Sequence, residues 1–82
     1  MKKEENVVLL SQMPIGECGV IRSIKKDPLR IRIMEMGMMP GKKIRVLSKS
    51  LFKDPIYVTL EHFSIALREN EASLIEIRIE KE

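Results

Sequence analysis

The sequence predicts a small, mostly-β barrel of about five short strands. One short helix lies between the first two strands, and a helical turn precedes the last. Three observations carry this reading. Four segments from Lys43 onward alternate apolar and polar residues with a period of two, the pattern of half-buried strands. Helical punctuation frames one interval, with Asp27-Pro28 at its start and Gly37 at its end. A chain of 82 residues is one domain, and small chains with this many strands curl up to remove exposed edges.

The elements follow in order. Residues 1–8 read as an N-terminal lead-in and residues 9–80 as the domain, with Leu9–Met13 leading into the first strand. Gly19 to Lys25 is that strand. Its alternation is imperfect, because Arg22 lies between Val20 and Ile24 on one face while Ile21 points the other way. Gly19 marks the expected irregularity. In DPLRIRIMEMG, Leu29, Ile31 and Ile33 alternate like a strand. The caps favour a helix over Pro28–Met36, which places Leu29, Ile33 and Met36 on one face. Pro40-Gly41 makes a turn. Lys43–Leu47 is a strand with Ile44 and Val46 inward. Residues 48–54 form a loop carrying Leu51 and Phe52. Ile56–Leu60 and Phe63–Leu67 make a hairpin around Glu61-His62. Residues 69–73 make a helical turn, and Leu74–Ile79 closes the fold with Ile75, Ile77 and Ile79 inward.

Composition narrows the function. Cys18 is the only cysteine and tryptophan is absent, so the core rests on aliphatic residues and methionine without disulfides. No apolar run approaches the ~20 residues of a membrane span, and the start lacks a signal-peptide pattern. A cytoplasmic protein with no membrane insertion is expected. Residues 20–53 carry a charge of +8 and residues 54–82 a charge of −4. Either the basic middle faces an anionic partner, or strands from the two halves pair and neutralise each other, which is the favoured reading. One histidine, no nucleophile with a base and an orienting group, and no phosphate loop argue against an enzyme. No cofactor is expected.

Four motifs then appear in order. LSQMPIGECGVIRSI comes first. Arg30 and Arg32 precede IMEMGMMPG. DPIYV follows at Asp54–Val58, and SIALRENEASLIEI closes the series. Together they resemble the ferrous-iron transport protein A family, FeoA, over roughly residues 9–79. The resemblance implies an SH3-like barrel. It also implies a cytosolic accessory of the FeoB-type membrane transporter, working through that protein's GTP-binding domain or its membrane domain. Met36 departs from the family's leucine at that position, and Glu61-His62-Phe63 departs from its glycine before the aromatic residue.

The stretch MEMGMMPG poses a separate choice. Thioethers bind soft metals, but no cluster of harder donors accompanies them, so core packing outweighs docking and both outweigh a metal site. Cys18 and His62 together make an incomplete metal site. Cys18 reads as a filler, His62 as an exposed hairpin residue, and Arg68 as pairing with Glu71 or a backbone carbonyl. The expected partner-binding surface comprises Leu29, Ile33, Met34, Met36, Met38, Met39, Leu51 and Phe52. Two alternatives stand beside it. A nucleic-acid-binding barrel fits the basic middle but lacks aromatics for base stacking. A regulatory domain like that of iron-dependent repressors lacks a helix-turn-helix here. Self-association through a strand edge or the apolar helix face is also open.

Overall fold

The computed structural model describes residues 6–52 and 54–80. The expected mostly-β class holds, with six strands rather than about five: β1 (Val7–Leu9), β2 (Cys18–Ile24), β3 (Lys43–Lys49), β4 (Ile56–Leu60), β5 (Phe63–Leu67) and β6 (Ile75–Ile79). Two short helices, α1 (Arg30–Glu35) and α2 (Glu69–Ala72), and a 3-10 turn at Leu10–Gln12 complete the chain. The strands form one antiparallel sheet in the order β1-β6-β2-β3-β4-β5. The additional strand, β1, pairs Val7 with Arg78 and Leu9 with Glu76. Three residues are too few for a period-two signal to stand out in the sequence.

Residues from across the sheet share one core. Ile21 and Ile24 of β2, Ile44 and Val46 of β3, Ile56, Val58 and Leu60 of β4, and Ile75 and Ile77 of β6 pack with Leu10, Met13, Ile33, Met38, Leu67 and Ala72. The two helices, six and four residues long, are too short to cover a flat sheet of this size, so the sheet curls around the cluster. Each fully buried Leu, Ile or Met contributes roughly 1.5–3 kcal/mol relative to exposure.

Two bulges set the register. In β2 the pairing with β6 shifts between Ile21 and Ser23, so Arg22 is the extra residue. The shift brings Ile21 and Ile24 inward together, which corrects the expected pairing of Val20 with Ile24. The irregularity therefore lies at Arg22 and not at Gly19. Gly19 meets a different demand: a Cβ there would collide with Ile77 and lie 2.9 Å from the Arg78 carbonyl oxygen. A second bulge in β3, between Val46 and Ser48, leaves Leu47 exposed.

Charge neutralisation is also visible. Arg22 reaches Glu76, Arg32 reaches Glu71, Lys42 reaches Glu61 and Lys43 reaches Glu80, all at 3.1–3.7 Å. Each pair joins the basic middle of the chain to its acidic end. Arg68 meets Glu71 through its backbone amide, which donates to the carboxylate at 2.9 Å, while its guanidinium lies 3.9 Å from Asp54.

Candidate functional site

The helix-turn segment between β2 and β3 is built by local chemistry. Asp27 Oδ2 accepts the Leu29 amide at 2.9 Å, and the Asp27 carbonyl accepts the Arg30 amide. Pro28 and Leu29 therefore lie in the turn before the helix, and α1 begins two residues later than the caps predicted. Gly37 adopts φ +97°, the left-handed conformation expected just past a helix end, and its amide bonds to Met34 O. Pro40 and Gly41 occupy the centre of a turn closed by Lys42 N–H to Met39 O at 3.1 Å, with Gly41 at φ +94°. That combination is a type II turn. Gly41 N–H to Ile21 O and Ile21 N–H to Lys42 O lock the turn onto β2.

This frame sorts the methionines. Met38 is fully buried and lies in the core with Met13, while Met34 and Met36 are partly buried against it. Met39 is exposed at the turn. The stretch is a core wall with one exposed member. Among the described residues no group of three or more His, Cys, Asp or Glu is placed to hold a metal.

The eight residues expected to bind a partner separate by depth. Ile33 and Met38 are fully buried in the core and are out of a partner's reach. Leu29, Met34 and Met36 are half-buried, and Met39, Leu51 and Phe52 are exposed. Leu51 and Phe52 are 88% and 84% accessible. They sit at the tip of a loop whose neck is closed by Ser50, whose amide and Oγ both donate to Pro55 O at 3.0–3.1 Å. Sequence reasoning missed Ile31, which is 69% accessible on α1. Two residues along a helix turn the side chain by about 200°, so the helix that buries Ile33 exposes Ile31.

The short helix α2 makes polar contacts with the 50–55 loop and with α1. Asp54, from the loop that carries Leu51 and Phe52, accepts the Glu69 amide at 3.0 Å. Glu71, two residues on, holds Arg32 of α1 at 3.7 Å. Loop and helix are thus tied to one turn of chain through two carboxylates. The sequence LRENEA makes this turn. Leu67 and Ala72 are buried, and Glu71 reaches back to the amide of Arg68, which is one half of a capping box.

The chain matches the FeoA domain family over residues 8–79. The chain belongs to the FeoA family. These are small domains associated with ferrous-iron transport. An Fe(2+) transport protein A/Fe(2+) transporter FeoB fusion protein of Porphyromonas gingivalis is 32% identical over 71 residues, which is 85% of this chain and 8% of that protein. The chain therefore spans less than a tenth of that relative's length. A FeoA-like protein of Clostridium acetobutylicum superposes with a TM-score of 0.87 at 27% identity, covering 98% of this chain and 93% of that one. Stenotrophomonas maltophilia FeoA, described with zinc as a procaryotic SH3 domain protein, gives a TM-score of 0.72 at 26% identity, covering 83% and 86%. The expected SH3-like fold is thereby shown. A manganese-dependent transcriptional repressor shares the fold alone, with a TM-score of 0.83 at 21% identity over 95% of this FeoA chain and 44% of its own.

Proposed function

We propose that this FeoA domain is a cytoplasmic, non-catalytic accessory of ferrous-iron uptake that docks on a FeoB-type membrane transporter. The observation that carries the reading is the fused relative, in which a homologous domain shares one polypeptide with a ferrous-iron transporter. Fusion makes an encounter intramolecular and raises its effective concentration, which has a use when the two parts interact.

The docking surface in this proposal is the exposed layer over α1 and the neighbouring loop: Ile31, Met39, Leu51 and Phe52, with Leu29, Met34 and Met36 at its margin. Large apolar side chains at a loop tip supply anchors for a partner pocket. Ile33 and Met38, buried in the core, lie outside this surface. Four ion pairs among the described residues join the basic middle to the acidic end, and with one tyrosine, two phenylalanines and no tryptophan the chain offers little for base stacking, so the nucleic-acid reading is the weaker one.

The test is an NMR titration of labelled protein with the soluble GTP-binding domain of the cognate transporter, with and without nucleotide, followed by the detergent-solubilised full transporter. Expected are shifts confined to 29–39 and 51–52, and loss of binding in Phe52→Asp with the fold intact. Binding that survives both Phe52→Asp and Ile31→Asp would overturn this surface. Absence of binding to the whole transporter in every nucleotide state would overturn the function.

A further inference from the structure

The sheet has two edges, and they are unlike. β1 is three residues long, and a short edge offers little template for another strand. β5 is five residues long, FSIAL. It contains no charge and no proline, and it pairs with β4 without a bulge. The usual devices that protect an edge are missing from it. Among the described residues nothing pairs with its outer side.

The free hydrogen-bonding groups of this edge can be assigned. A two-residue loop, Glu61-His62, joins Leu60 to Phe63. The pair closing such a loop exchanges both of its bonds, and bonded pairs alternate with unbonded ones. Phe63, Ile65 and Leu67 therefore direct their amides and carbonyls to β4. Ser64 and Ala66 direct theirs outward, and both side chains are small and exposed. The inward positions of β5 are also incompletely covered. Phe63 is 52% accessible, whereas the inward residues of β4 are at most 1% accessible.

We propose that β5 is a self-association edge that pairs antiparallel with β5 of a second copy, about a two-fold axis at Ile65. This register sets Ser64 against the partner's Ala66, and Ala66 against the partner's Ser64. It satisfies all four outward amides with four interstrand bonds. Ile65 then faces its own copy as an unbonded pair, where side chains approach most closely. Phe63 lies opposite the partner's Leu67 and loses solvent. No charged side chain falls within the ladder. Of the two-fold registers that bond through outward groups, this one alone uses Ser64 and Ala66 of both strands inside the strand span. That self-complementarity is what favours a second copy as the occupant. The inference is independent of the docking surface on α1 and the 50–55 loop.

Sedimentation equilibrium across a concentration series tests it, together with Ser64→Pro and Ala66→Pro. Proline at either position removes an amide that faces outward and spares the bonds to β4. The expected result is an average mass that climbs from 9.5 kDa toward twice that value in the native sequence. In each proline variant the dissociation constant rises by at least about tenfold. In parallel, hydrogen exchange at the Ser64 and Ala66 amides slows with protein concentration, a readout that stands even if the variants fold poorly. A constant monomer mass, a dimer indifferent to both prolines, or exchange at these amides that ignores concentration overturns the proposal.

Discussion

Arg32 and Glu71 join the two helices of the fold, with Nε of Arg32 3.7 Å from Oε2 of Glu71. The two partners are unlike. The Glu71 side chain is 6% accessible and that of Arg32 70%, and the other oxygen of Glu71 caps the Arg68 amide. Loss of the carboxylate leaves that amide without its acceptor, while loss of the guanidinium removes a solvent-screened contact. Glu71→Ala is therefore expected to cost about 1–2 kcal/mol, and Arg32→Ala no more than about 0.5 kcal/mol. Glu71→Gln keeps an acceptor and falls between them. Thermal melts of the three variants check the order, and equal losses from both partners would contradict it.

Gly19 and Gly37 are needed for different reasons. At Gly37 a Cβ meets only ordinary contact, 3.4 Å from Leu60 Cδ2, and the burden is the positive φ. Gly37→Ala should cost about 1–2 kcal/mol. Gly19 lies outside the left-handed region, yet its Cβ would press on the β6 backbone. Overpacking against a strand costs about 1–3 kcal/mol or more. Urea titrations should rank Gly19→Ala as the more damaging of the two.

Glu61 is the only described non-glycine residue with positive φ, at +57°. The strain of the hairpin thus falls on Glu61, while His62 keeps an ordinary backbone angle. Glu61→Gly relieves that strain and gives up a half-exposed contact with Lys42 at 3.1 Å, which is worth little. A net gain of about 0.5 kcal/mol in stability is expected, read as a raised melting temperature. A loss would mean that the ion pair outweighs the backbone.

Exposure separates anchoring from folding in the apolar residues of α1 and its neighbouring loop. Phe52→Ser and Leu51→Ser should change stability by no more than about 0.5 kcal/mol. Ile33→Ala should cost about 2–5 kcal/mol. Chemical denaturation of these variants measures the contrast. A large loss in Phe52→Ser would show that the loop tip packs on the fold.

Much of this protein is legible in its sequence because the signals are local. The period-two alternation of IYVTL and LIEIRI is set by residue type alone, and so is the cap-to-cap interval from Asp27 to Gly37. The ordered motifs also identified the family. What the sequence left undecided depends on distant partners. The bulge at Arg22 exists because β6 must pair on both sides of it, so no single strand encodes it. Ile33 and Ile31 are the same residue type two positions apart, and only docking of α1 on the barrel buries the first and exposes the second. Glu71 could have served Arg68 or Arg32 as readily as solvent. The Arg68 amide reaches Glu71 locally, three residues away, whereas Arg32 reaches the same carboxylate only because the fold brings α1 beside α2. Residue type and spacing identified five of the six strands and both helical segments, because their signals are local. Tertiary structure alone decided which apolar side chains remain at the surface and which strand is left with an open edge, because burial is a property of the assembled sheet and not of any segment within it.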